Sequence, residues 1–318
     1  MSRVTHPLLP ARIGYVGLAT SDVEGAAAVL AGDLGLRRTD CPIWKRDRRV
    51  PVFSVGSAAL ALFAPDDPFL GETAKPGVHH IAFYVDDLDA ASARARTQGV
   101  PVVEGEPKRG LQGRRRRSLS PAALCGVRAD LAEPLDLEPA VHGPVERIDH
   151  LGVASADNGA ALEVFCRRLG FQLESTQTDL EVSIAVESFT SDKYGVVHHS
   201  RRPEVQGGLR IAFVTIGDCD LEFLQDLDPR QGALAAHDGP GTTKQDQSAI
   251  ARYIAARGEG LHHLALKVRD IDATLAALGR SGRALIDRVG RPGSRRALIG
   301  FLHPRALHGV LVHLVQRE

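Results

Sequence analysis

The chain carries no excess of either charge. Its 39 Lys and Arg balance 39 Asp and Glu, so it lacks the basic surplus by which proteins hold nucleic acid or anionic membrane surfaces. No apolar run approaches the roughly 18 residues that a membrane span needs. Cysteine is scarce: Cys41, Cys125, Cys166 and Cys219 are scattered and form no CxxC pair, which argues against a disulfide frame or a zinc knuckle and for reduced thiols. The opening MSRVTHPLLPARIGYVGL has no long apolar segment followed by a small-residue cleavage site. No signal peptide is therefore expected, and the expected location is the cytoplasm. What is present is an ordinary globular composition, 43% hydrophobic and 25% charged over 318 residues. That length suits two domains of roughly 150 residues each.

The chain repeats itself. GVHHIAFYVDDLD (77–89) returns as GLHHLALKVRDID (260–272), an offset of 183, and the same offset carries Pro121, Gly126 and Leu131 onto Pro304, Gly309 and Leu314. YVGLATSDVEGAAAVLAGDLGL (15–36) returns as HLGVASADNGAALEVFCRRLGF (150–171), an offset of 135. Further on, GSAALALF (56–63) matches GDCDLEFL (217–224) at an offset of 161, so about 26 extra residues lie within 172–208. Each unit begins with a short alternating strand and an Asp-led helix that Gly170 or Gly282 ends. Three further strands follow. Four βαβββ modules are therefore expected, over 12–65, 77–137, 145–226 and 260–316. Paired, they predict an α+β chain of two domains, 1–138 and 145–318, each an open, barrel-like curved sheet with flanking helices. PAVHGP (139–144) is the linker. An exposed loop is expected over 228–247, and a short amphipathic helix over 248–260.

Strand alternation sorts the polar residues. In 262–268, His262 falls with Leu264, Leu266 and Val268 on a face that should pack on the helix, and His263 falls on the opposite, cavity face. The first strand of the third module puts His150, Gly152 and Ala154 on that cavity face. Glu222 sits between Leu221 and Phe223 in the last strand of the third module, and His313 between Val312 and Leu314 in that of the fourth. His150, Glu222, His263 and His313 thus come from first and last strands of paired units. Three imidazoles and one carboxylate suit one divalent ion of zinc, iron, manganese, cobalt or nickel. The N-terminal half holds Tyr15, Ala61, His80 and Asp130 at these places. Alanine cannot ligate, so no complete site is expected there.

With these residues the chain resembles the vicinal oxygen chelate superfamily, whose members include glyoxalase I, methylmalonyl-CoA epimerase, extradiol ring-cleaving dioxygenases and fosfomycin-resistance proteins. IDHLGVA, RIAFVTIGDCDLEFLQ, IARYIAARGEGLHHLALKVRDID and FLHPRALHGVLVHLV make the C-terminal half most similar to the epimerase. The resemblance implies one metal bound by His150, Glu222, His263 and His313. It also shows departures. His313 stands where the epimerase usually has Glu, and Gln206 stands near the place of its catalytic glutamate. Four modules match the dioxygenases in length, but those use two His and one Glu.

The resemblance implies bidentate binding of a small oxygenated substrate and stabilisation of an enolate or oxyanion. The first expectation is an epimerase, isomerase or lyase that removes a proton beside a carbonyl. Its candidate bases are Glu222, which resembles the dual-role ligand of glyoxalase I, and Glu204, Glu187, Tyr194, His198 and His199 in or beside the insertion. An iron(II) dioxygenase and a metal-free binding or resistance protein are the alternatives. His303, near a strand end, is a further residue near the substrate. RRRR (114–117) reads as a solvated or acid-paired strand edge. The partner expected is a small molecule, with no nucleic acid or membrane. A pseudo-dimer within one chain and a homodimer both stay open.

Overall fold

The computed structural model describes residues 9, 11–71, 73–200, 202–227 and 249–318. The loop expected over 228–247 lies outside the described residues. The N-terminal half runs β1 (Arg12–Ala19), α1 (Val23–Ala28), β2 (Arg37–Pro42), β3 (Arg49–Val55), β4 (Ala58–Phe63), β5 (Gly77–Tyr84), α2 (Leu88–Thr97), β6 (Lys108–Arg109), β7 (Arg115–Ser118) and β8 (Ala129–Ala132). The C-terminal half runs β9 (Val145–Ala154), α3 (Asn158–Leu162), β10 (Gln172–Ser183), β11 (Val186–Ser191), β12 (Gly195–Ser200), β13 (Glu204–Ile216), β14 (Cys219–Leu227), α4 (Ala249–Arg257), β15 (Gly260–Val268), α5 (Ile271–Arg280), β16 (Arg291–Pro292), β17 (Leu298–Leu302) and β18 (Val312–Gln316).

Each half closes into one eight-stranded sheet, in the orders β2-β3-β4-β1-β5-β8-β7-β6 and β10-β13-β14-β9-β15-β18-β17-β16. The expected α+β architecture of two curved sheets is what the chain adopts. Asp22, Asp87, Asp157 and Asp270 cap the four module helices, each side chain accepting from a backbone N–H of the first turn. After α3 a π-helical turn, Glu163–Arg168, carries the chain to Gly170, whose φ of +77° makes the left-handed turn that glycine allows without penalty.

One face of both sheets and the helices on it share a single hydrophobic core. It joins Val16, Leu18, Ile81 and Phe83 of the first half to Leu151, Val153, Leu264 and Leu314 of the second. The opposite, concave faces differ. In the N-terminal half that face is filled by its own apolar cluster, including Tyr15, Val52, Ala61, Phe63, Phe69, Leu70 and Tyr84. In the C-terminal half the apolar residues on it form two smaller clusters, around Ile211, Phe213, Leu224 and Ile250 and around Ala265, Ile299 and Val315. The inserted residues within 172–208 lengthen β10 and β13 into a ribbon, and β11 pairs only with β12 as a separate two-stranded sheet.

Candidate metal centre

The central strands of the C-terminal sheet set the geometry. β9 is flanked by β14, parallel, and β15, antiparallel, and both Glu222 and His263 lie opposite Gly152. Ala265 of β15 lies opposite His150 on one side and His313 on the other. Pleating turns the four side chains to one concave face. The rings of His150, His263 and His313 form a triangle with centroids 5.2–5.5 Å apart. One ring nitrogen from each lies within 4.8 Å of the others. Glu222 Oε2 lies 3.3 Å from His150 Nε2 and 3.4 Å from His263 Nε2. All four residues are at most 5% exposed.

The electrostatics follow from burial and from the carboxylates of Glu222 and Asp149. Burial opposes a charge on His150, but Glu222 and Asp149 outweigh it and push its pKa up to about 9. Burial works the same way on Glu222, and His150 and His263 overcome it and hold the carboxyl well below its ordinary range. His263 and His313 are pushed down by burial, with His150 adding to it. The Nε2 atom of His313 is buried without a hydrogen-bond partner, and that of His150 faces the Glu222 oxygen at 3.3 Å. A buried polar nitrogen left unpaired is costly. Three imidazoles and a carboxylate converging on one point are the donor set of a divalent-cation site, and the residues therefore fit such an ion.

Two flanking residues depart from strict alternation, both through β-bulges. Register slips between Ala265/His150 and Leu266/Ile148, leaving Asp149 unpaired in the ladder. Its carboxylate turns to the side of its neighbour, where Oδ2 accepts from His150 Nδ1 at 3.0 Å. Arg147 and Arg317 hold its other oxygen at 2.9 and 3.0 Å. A carboxylate on Nδ1 leaves the Nε2 lone pair for a metal. Sequence reasoning missed Asp149, because alternation assigns it to the far face. The acid directly before a ligand histidine is the only signal. The second slip is at His262, and it corrects the expected separation of the two adjacent histidines. His262 Nδ1 lies 3.0 Å from His263 Nδ1, and its ring meets Tyr253 of α4 edge-on at 4.6 Å. The helix it packs on is therefore the one that covers the concave face.

The remaining candidates lie elsewhere. Glu204 and Glu187 are exposed, the first at the outer end of β13 and the second on the β11–β12 hairpin. Glu204 is nine residues along β13 from Phe213, the partner of Glu222, about 30 Å at strand rise. Tyr194 lies at the hairpin turn, and His198 and His199 on β12, all three exposed. His303 instead caps a short turn, accepting from Arg305 N–H at 3.1 Å.

In the N-terminal half Tyr15, His80 and Asp130 do converge, but around a guanidinium. Arg116 pairs with Asp130 and lies 4.0 Å over the Phe69 ring. Tyr15 meets His80 edge-on at 5.6 Å, and both feel the charge of Arg116. The other arginines of 114–117 include Arg115, which pairs with Glu133 and Asp89, as expected for an acid-paired edge.

A model of the Glyoxalase/Bleomycin resistance protein/Dioxygenase superfamily matches residues 15–116 and 149–301. An ethylmalonyl-CoA/methylmalonyl-CoA epimerase of Cereibacter sphaeroides is 30% identical over 131 residues, 38% of this chain and 97% of that protein. The human mitochondrial methylmalonyl-CoA epimerase is 28% identical over 129 residues, 38% of this chain and 73% of that protein. A mutant of 4-hydroxymandelate synthase from Streptomyces coelicolor shares the fold over 99% of this chain and 94% of its own, with a TM-score of 0.64 and 17% identity. Among the described residues, no helix is long and apolar enough to cross a membrane.

Proposed function

The chain belongs to the Glyoxalase/Bleomycin resistance protein/Dioxygenase superfamily, and from that premise we propose that its C-terminal half is a divalent-metal-dependent epimerase or isomerase. The substrate proposed is a small oxygenated molecule with an acidic C–H beside a carbonyl, such as a 2-substituted acyl thioester of the kind named for the epimerase relatives. The observation that carries the reading is the convergence of buried His150, Glu222, His263 and His313, with the Nε2 of His313 left unpartnered.

A bound divalent ion supplies Lewis acidity to negative charge developing on the substrate oxygens. The chain's own residues do the rest. Asp149 keeps a proton on His150 Nδ1 and so keeps Nε2 a donor of its lone pair. The contact of His262 Nδ1 with His263 Nδ1 at 3.0 Å would steady the His263 ring, whichever of the two donates. Glu222 is the one carboxylate at the site and the group we assign to take the substrate proton. Glu204, about 30 Å from the site along β13, and Glu187, on the separate β11–β12 hairpin, are the other two carboxylates proposed from sequence, and neither lies beside the cluster. Phe213 and Phe301 wall the cluster, Phe301 stacking on His313 at 4.4 Å between centroids, and exclude water from the charged groups.

A ferrous dioxygenase is the weaker reading, since four protein donors leave too few open positions for both dioxygen and substrate. Metal analysis of the purified protein, with His150→Ala and His263→Ala beside it, tests the centre. We expect one divalent ion per chain, lost in both variants, and metal kept by both would dismantle the assignment. Deuterium uptake into a panel of 2-substituted acyl thioesters and hydroxyketones tests the reaction. Ferrous-dependent oxygen consumption without exchange would replace it by the dioxygenase.

A further inference from the structure

We infer that Arg295 is a positioning residue for the metal centre, acting on His150 through Asp149. The inference rests on the metal reading above.

Arg295 lies in the short turn Ser294–Arg296 that leads into β17. Both it and Arg296 are in the left-handed backbone region, at φ +56° and +57°, where side chains with a Cβ are uncommon. The equivalent turn in the N-terminal half, at the repeat offset of 183, has the same bend at Gln112 and Gly113, with φ +52° and +70°. The bend is thus common to both halves. In the C-terminal half it is kept without glycine at either position, and one of the two side chains that bear the strain reaches the site.

The guanidinium of Arg295 meets Asp220 at 2.7 Å, Glu174 at 3.2 Å and Asp149 at 3.5 Å. The atom of Asp149 it faces is Oδ2, the same oxygen that accepts from His150 Nδ1. It also lies 3.6 Å over the Phe213 ring, whose own contact with His150 is edge-on at 5.8 Å. Arg295 therefore bears on His150 by two routes, one polar and one through packing. Arg147 and Arg317 hold the other Asp149 oxygen, so with Arg295 in place the carboxylate is gripped at both ends. Freed of Arg295, Oδ2 can turn away from the imidazole, and nothing then selects which nitrogen of His150 keeps its proton.

The other half is an internal control. At the repeat offsets, Asp149 corresponds to Gly14, Asp220 to Ala59, Arg295 to Gln112 and His150 to Tyr15. Gln112 there bonds to the backbone of Asp136 and to Cys41. Arg147 keeps an arginine counterpart, Arg12, which bonds the Ser57 carbonyl as Arg147 bonds that of Asp218, but Asp149, Asp220 and Arg295 have no acidic or basic counterpart in the half without the histidine cluster.

The test uses full-length protein, cobalt(II) as the probe ion and the melting temperature of the metal-free protein as a folding control. Arg295→Met is expected to bind cobalt about 10–100-fold more weakly, the range for loss of a group supporting a metal ligand, and to change the visible ligand-field spectrum. Arg295→Lys should recover part of the affinity. A purely structural role would instead lower the melting temperature and leave affinity and spectrum as they were, and that result overturns the inference while the metal centre stands. No cobalt binding by the unmutated protein overturns the metal centre and this inference together. Should Arg295→Met fail to fold, Arg295→Lys combined with Asp149→Asn decides: losses that do not add support the route through Asp149, and additive losses refute it.

Discussion

The ring of His263 lies across Gly152, its register partner on the neighbouring strand, so closely that a Cβ added to the glycine would fall within the imidazole. His80 lies across Gly17 in the same way in the other half. The absence of a side chain at the glycine is therefore part of how each histidine is aimed. Gly152→Ala should cost about 1–3 kcal/mol of stability, as overpacking does, and should also displace His263 and weaken metal binding. Gly17→Ala should cost a similar amount and leave metal binding alone. Melting curves and cobalt titrations on the pair check both statements, and equal metal affinity in the two variants would contradict them.

Glu222→Gln separates ligation from proton transfer. The amide keeps an oxygen donor but cannot accept the substrate proton. Metal should be retained at reduced affinity, while solvent deuterium exchange falls by about 10²–10⁴-fold, the usual contribution of a general base. Exchange at the original rate in a metal-loaded Glu222→Gln protein would assign the base elsewhere.

The outer carboxylates should behave as surface groups. Glu187→Gln and Glu204→Gln are expected to change exchange rates by no more than about two-fold, the effect of an ordinary exposed substitution. A hundred-fold loss in either would show that the ribbon folds back over the site during turnover.

Acid should loosen the N-terminal half through His80. Burial pushes the His80 pKa down to about 3, with Asp130 working against that shift and His79 and Arg116 adding to it. The unfolded chain takes up a proton near pH 6.5 that the folded one refuses until about pH 3. Stability therefore falls as pH drops through that window, by roughly 5 kcal/mol at most, and this contribution is constant above and below it. Trp44, the chain's one tryptophan, lies in this half, so its fluorescence in urea at a series of pH values reports the slope. His80→Phe should flatten it.

Much of this was readable in the amino-acid order, for a physical reason. Repeat offsets expose the four modules, because each unit buries the same faces. Alternation placed Glu222 and His313 correctly, because their strands run without bulges through those positions. It misplaced His262 and gave no reason to single out Asp149, because a bulge adds one residue without marking the sequence and reverses the facing of that residue. Arg295 was not legible either. It comes from a turn, and only the folded loop shows where so long a side chain ends. The plug of the N-terminal concave face by Phe69 and Leu70 was hidden in the same way, since both belong to the connection between modules rather than to a strand.

Chelation should divide the molecule. Removing a bound ion withdraws ligand stabilisation from the C-terminal sheet alone, so its melting transition should drop by several degrees with a chelator, while the Trp44 signal keeps its midpoint. A shift of both would mean that the shared core melts as one unit.

The Arg116 guanidinium, packed among Asp130, Tyr15, His80 and Phe69, gives the N-terminal half a positive charge fastened to its own backbone. Such a charge cannot be titrated away at physiological pH, exchanged for a competing ion or lost by dilution. The buried acid of that half is thus met by a cation of the chain itself, so if the C-terminal cluster holds an ion as proposed, a change in ion supply should act on the C-terminal half alone.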